Sequence, residues 1–223
     1  VLPEMLPILG AAETRFYRNK MEYTFGNKRF LLKEELIDPS VSNDQDVAGF
    51  HAKGMFDKLV DIQTCYLQEE PTNAIRLAIK NFAKEHKYSF YDIRSHTGFL
   101  RTMQVRLCTT GELMVNVMLG EEDEAKRTAL MKYIMNQFPS ITTLLYTINT
   151  KWNDSLYDLK PVVYKGKDFV IEKLSTGPGG QDFLFKIGPA SFFQTNTKQA
   201  EKLYRAEKDF AELTGKETVY DLY

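Results

Sequence analysis

The sequence predicts an α+β fold: a mainly antiparallel sheet with two or three helices, followed by the first helix and strand of a second unit. Three observations predict it. Short β-branched and aromatic runs alternate apolar with polar residues and are separated by turn residues. Between them lie segments whose apolar residues recur at helical spacing. Near the end, a Gly-Pro turn, a helix and a short apolar run succeed one another, as at the opening of an α/β unit.

In chain order, residues 1–12 are interrupted by proline and read as a linker or the tail of a helix. Residues 17–25 alternate: Met21, Tyr23 and Phe25 on one face, Arg18, Lys20, Glu22 and Thr24 on the other, a half-buried strand. Gly26-Asn27 is expected to turn. Residues 38–46 read as a loop, and residues 47–62 as a hairpin turning at Gly54. Residues 71–86 carry Ile75, Ile79 and Phe82 on one stripe behind Pro71, an amphipathic helix. Met103, Val105 and Leu107 alternate with Thr102, Gln104 and Arg106, and Leu113 to Leu119 repeats the pattern after Thr110-Gly111, the clearest hairpin in the chain. Acidic residues 121–124 suit a helix N-terminus, and that helix should run to about Gln137 with Leu130 and Ile134 buried. Residues 141–149 form a Thr-rich strand, and Phe169–Ile171 and Phe183–Ile187 are strands around the glycine cluster 177–180. That cluster lacks the Lys-Ser/Thr and following helix of a phosphate loop. Ala200, Leu203, Ala206, Phe210 and Leu213 mark a last helix stopped by Thr214-Gly215, and residues 219–223 read as a strand.

A chain of 223 residues with 43% hydrophobic and 26% charged residues has the composition of a globular protein with a sizeable core. Its net charge of −1 argues against a domain that coats nucleic acid everywhere, so any such site must be a local patch. The most basic stretch holds Arg15, Arg18, Lys20, Lys28, Arg29 and Lys33 with only Glu22 opposing them. It is either a solvated strand face or a phosphate-contacting edge. No apolar run is long enough to span a bilayer, and no signal peptide is recognisable at the first residues, which read as those of an excised piece. Two cysteines make no disulfide framework, so the cytoplasm is the expected compartment.

Four stretches together carry a family resemblance: Ser191-Phe-Phe-Gln-Thr-Asn196 with Gln199-Ala-Glu-x-Leu-Tyr204, Phe16-Tyr-Arg-Asn-Lys20, Gly49-Phe-His-x-Lys-Gly54, and Asp61-Ile-x-x-Cys65. Taken in chain order they resemble the RNA 5-methyluridine methyltransferases, and most closely the 23S rRNA (uracil-5-)-methyltransferases that use S-adenosylmethionine. The Phe-Phe-Gln-x-Asn stretch is the specific one. The resemblance implies a central RNA-binding or substrate domain over residues 1–188 and, over 189–223, the start of a truncated Rossmann-like methyltransferase domain.

The implied chemistry adds a nucleophile to C6 of uracil so that C5 attacks an electrophilic methyl group, after which a base removes the C5 proton. In the family the nucleophilic cysteine and the base follow the strand that ends here at Tyr223, so this chain is expected to hold no catalytic residue and to be inactive alone. By resemblance Gln194 and Tyr223 contact the cofactor, while Arg15, Arg18 and Lys20 contact RNA. Phe192 is expected to be a core aromatic. Many family members also bind a 4Fe-4S cluster, and Cys65 stands where its fourth ligand belongs. A cluster is expected in an intact parent and not in this chain, because one thiol cannot hold it. Cys108 reads as structural, and His51, His86 and His96 are too scattered for a metal. Two alternatives remain open: a non-catalytic RNA-binding or assembly module, and a transfer RNA uridine methyltransferase. No membrane or protein partner is implied.

Overall fold

The computed structural model describes residues 5–177 and 180–220. Nine strands and four helices occur among them, in the order β1 (Lys20–Lys28), α1 (Lys33–Leu36), β2 (Asp44–Ala52), β3 (Met55–Asp61), α2 (Thr72–Glu85), β4 (Leu100–Leu107), β5 (Leu113–Leu119), α3 (Glu124–Gln137), β6 (Thr143–Ile148), β7 (Val162–Lys165), β8 (Val170–Ser175), β9 (Asp182–Ile187) and α4 (Thr197–Ala211). Seven strands form one sheet in the order β3-β2-β1-β4-β5-β6-β7, and β8 and β9 pair as a separate hairpin. Every pair is antiparallel except β5–β6, which α3 joins as a crossover. The α+β class with a mainly antiparallel sheet is therefore observed.

Alternation along the strands builds two cores, one on each face. Met21, Tyr23, Phe25, Met103, Val105, Val115, Val117 and Leu144 point to the side covered by α2 and α3, which contribute Ile75, Ile79, Leu130 and Ile134. Met114 and Leu145 point the opposite way, onto Val170 and Ile187 of the β8–β9 hairpin, with Cys108 beside them. The sequence pattern set Thr102, Gln104 and Arg106 on the polar face of β4, opposite Met103, Val105 and Leu107. All three are buried, because the hairpin, the start of α4 and the loop after β6 cover that face. At the loop, buried Arg101 donates to the carbonyls of Asn149, Lys151 and Asn153 and to Asp154, and lies over the Tyr91 ring.

Several local expectations are corrected. Gly26 and Asn27 do not turn: β1 runs through them to Lys28 with a register irregularity. A Cβ at Gly26 would lie 2.7 Å from Leu59 Cδ1, so glycine serves the close approach of β3. The turn expected at Gly54 is present, with φ +77. Thr214-Gly215 does not stop α4, which ends at Ala211 with Glu212 in the left-handed region. Strand β7 follows Pro161 unannounced by the sequence pattern. Val219 and Tyr220 are in no strand, and the rest of the expected 219–223 strand lies outside the described residues, as do positions 178 and 179 of the glycine cluster.

Candidate functional site

Two features converge on the segment 188–197, which leads from β9 into α4. The first is the basic stretch before and at the start of β1. Lys28 pairs with Asp44, and Arg29 with Glu35, so those charges are spent locally. Arg15, Arg18 and Lys20 make no ion pair among the described residues. Lys20 stands opposite Arg106 in the β1–β4 register. Burial, then the nearby Arg106 and Arg18 charges, push the Lys20 ammonium below its ordinary value, with Glu22 opposing. An anion arriving there would be drawn to uncompensated positive charge.

The second feature is a cleft of about 580 Å³ between the β8–β9 hairpin, the segment 192–194 and α4. Phe183, Phe185 and Phe192 give it apolar walls, and Gln194, Tyr204, Arg205 and Lys208 supply polar groups at its edges. A mostly apolar cleft of this size with a few polar groups is what small ligands and cofactors occupy. Contrary to expectation, Phe192 is no core aromatic: it is 82% exposed and lines the cleft. Phe193 does pack inward, against the β8–β9 core and edge-on to Phe185.

Asn19 joins the two features. Its amide N–H donates to Thr195 O at 2.7 Å, and its side-chain Nδ2 donates to Gln194 O and to Thr197 Oγ1, each at 2.8 Å. Thr197 in turn donates to Glu172, a buried carboxylate that also accepts from Thr109. Arg106 donates to Ser191 O. The helix that follows is capped by Asn196, whose side chain accepts from Gln199 N at 3.0 Å. The backbone after the Gln194 side chain is thus pinned by Asn19, just before β1, and the backbone before it by Arg106 of β4, while the side-chain amide is left exposed at the cleft.

No family model matches the chain. An uncharacterized RNA methyltransferase of Bacteroides thetaiotaomicron is 46% identical over 225 residues, covering 100% of this chain and 48% of that protein. One of Porphyromonas gingivalis is 44% identical, covering 99% of this chain and 47% of that protein. By sequence, this chain is a relative of RNA methyltransferases. It spans about half the length of the curated relatives it matches. The crystal structure of Pyrococcus abyssi tRNA (uracil-54, C5)-methyltransferase in complex with S-adenosyl-L-homocysteine is similar in fold, with a TM-score of 0.61 and 26% identity, covering 89% of this chain and 42% of that one.

In this methyltransferase relative, the residues singled out from sequence fall into three groups. Arg15, Arg18 and Lys20 lie before and at the start of β1, with Gln194 linked to that segment through Asn19. Cys65 lies apart from the cleft, buried against the α2 side of the sheet, its backbone held by Asn73. Among the described residues no group of three or more His, Cys, Asp or Glu could hold a metal ion. Tyr223 lies outside the described residues. Burial, helped by the Glu172 charge, pushes the Cys108 thiol up to about 12, which suits a structural residue and not a nucleophile. No described helix is long and apolar enough to cross a membrane.

Sequence reasoning missed Asn19, Arg106, Glu172 and Thr197. Asn19 stood inside the quoted motif without a role, and Arg106 was one of the polar residues alternating along β4. Only their shared burial reveals them.

Proposed function

We propose that this chain serves an RNA methyltransferase that moves a methyl group from S-adenosylmethionine to C5 of a uridine in RNA. What supports the reading is the likeness of nearly the whole chain to a uracil-C5 methyltransferase solved with S-adenosylhomocysteine. The cleft fits one wall of such a cofactor site in size and chemistry, with the Gln194 amide able to donate and accept. The cofactor supplies the electrophilic methyl group. Residues of this chain bind and orient: Gln194 and, at the chain's last position, Tyr223 toward the cofactor, Arg15, Arg18 and Lys20 toward RNA phosphates. The target is an unstacked uridine, since C5 and C6 are out of reach inside a helix.

The nucleophilic cysteine and the base belong to sequence beyond this chain, which alone is inactive. Cys65 is one ligand of a 4Fe-4S cluster only in a longer protein. The substrate we carry forward is 23S rRNA. Transfer RNA is the second reading, favoured by the substrate named for the solved neighbour. The compartment in this reading is the cytoplasm.

The test is tritium release from RNA carrying label at uridine C5, using the full-length gene product, S-adenosylmethionine, and 23S rRNA or transfer RNA transcripts. Release from 23S rRNA alone is expected. Release from transfer RNA alone shifts the substrate, and release from neither leaves a non-catalytic RNA-binding module. Gln194→Ala should weaken S-adenosylhomocysteine binding about tenfold, the worth of one or two hydrogen bonds, without lowering the melting temperature. Unchanged affinity would remove Gln194 from the cofactor site.

A further inference from the structure

Beside the unpaired cations lies a feature that phosphate binding alone does not use. Phe16 and Tyr66 are both solvent-accessible, 43% and 54% exposed, and their rings meet at 6.0 Å with a 59° tilt. The pair is built, not incidental. Phe16 N donates to Tyr66 O at 2.7 Å and Arg18 N to Leu67 O at 2.9 Å, so the segment leading into β1 is tied along residues 66–67. Phe16 has φ +55, a conformation a bulky aromatic adopts only when its surroundings impose it. The Arg15 guanidinium lies 5.3 Å from the centre of the Tyr66 ring, and Arg18 and Lys20 follow in the chain at the start of β1. Of the two acidic residues that follow Gln68, Glu70 is engaged by Asn73 and by Ala74 N at the start of α2.

Accessible aromatic rings interleaved with uncompensated cations are the combination by which proteins hold single-stranded nucleic acid, the cations following the backbone and the rings taking bases. We propose that Phe16 and Tyr66 form a stacking platform for an unpaired RNA base, next to the phosphate contacts of Arg15, Arg18 and Lys20. The inference rests on the RNA reading above and sharpens it: the partner is RNA with an unpaired stretch, not a duplex. Stacking a base here gives the strand a place to stay open while a uridine elsewhere in it is exposed for reaction.

The test uses the full-length gene product and a fluorescein-labelled oligouridylate of about twelve nucleotides, within the usual range of single-strand sites, with a matched RNA duplex as control. Phe16→Leu and Tyr66→Leu each keep an apolar side chain but remove the ring. Each should weaken oligouridylate binding on the order of tenfold, with duplex binding unchanged and the salt slope of affinity preserved. Phe16→Trp and Tyr66→Phe should retain affinity. Arg18→Ala, by contrast, should flatten the slope by about 0.7, as the loss of one phosphate contact on a single strand does. Leucine variants that bind the oligomer normally, while Arg18→Ala binds it weakly, would overturn the platform and leave the RNA reading standing. A flattened slope in Tyr66→Leu would also overturn it, since the ring would then only be placing Arg15. No RNA binding by the unaltered protein would remove both.

Discussion

Replacing Asn19 by alanine tests whether the cleft is held in place from β1. The substitution deletes two donated hydrogen bonds, to Gln194 O and Thr197 Oγ1, both at 2.8 Å, and Asn19 is buried. The backbone bonds from Asn19 N to Thr195 O and from Leu107 N to Asn19 O survive, so β1 itself should persist. Each lost bond removes about 1 kcal/mol net, and the Gln194 carbonyl, left in a partly buried place without its donor, adds about 1–2 kcal/mol more. Thr197 loses less, because its hydroxyl still donates to Glu172 at 3.2 Å. The sum, about 2–4 kcal/mol, falls on the docking of residues 188–200 and not on the central sheet. Hydrogen exchange of the peptide spanning those residues, measured on the full-length gene product, reads that local opening. At about 1.4 kcal/mol per tenfold, exchange there should accelerate about 30-fold to about 700-fold, with β4 and β5 unchanged. Acceleration below about twofold would refute the view that Asn19 fixes this segment. Uniform acceleration across the sheet would refute its local character.

Two further outcomes follow from the same structure. Arg76 is fully buried, donates to the carbonyls of Ala48, Ile62 and Gln63 and to Asn73 Oδ1, and lies over the Tyr23 ring. Arg76→Met strands those acceptors and should destabilise by about 3–5 kcal/mol in urea unfolding, whereas a cost under about 1 kcal/mol would show that the carbonyls find other donors. Cys108, with its thiol pushed up to about 12 by burial, should stay unalkylated by iodoacetamide at pH 8 in the native state, and modification before unfolding would contradict it. Its folded value lies above the unfolded one near 8.5, so the unfolded chain loses this proton first. The associated stability is complete below that unfolded value and declines as pH rises toward 12.

Local pattern was enough where an element's identity is decided by its own residues. The β4–β5 hairpin announces itself through two alternating runs around Thr110-Gly111, and α3 through its acidic start, where Asp123 caps Lys126 N as observed. The pattern failed where a second element decides. Alternation on β4 is the same whether its polar face meets water or the β8–β9 hairpin, so the burial of Gln104 and Arg106 could not be read from it. The parallel β5–β6 pair depends on where α3 returns the chain. Asn19 and Gln194 are 175 positions apart, and no spacing rule links them. The resemblance named both stretches without showing that one holds the other.

The basic edge shows the same limit from the side of charge. A net charge of −1 gives no hint of a nucleic-acid surface, and the six basic residues between positions 15 and 33 look alike in sequence. What separates them is their partners. Asp44 and Glu35 neutralise Lys28 and Arg29 at the far end of β1, where a strand pairing and a short helix bring the acids in. At the near end the neighbours are Arg106 opposite Lys20 and the ring of Tyr66 beneath Arg15. The ring beneath Arg15 returns only about 0.5–1 kcal/mol at an exposed site, and the Lys20 charge, facing another positive charge, gains nothing from folding. It persists at a cost to the fold, which is the physical reason to seek its use in an anionic, base-bearing partner.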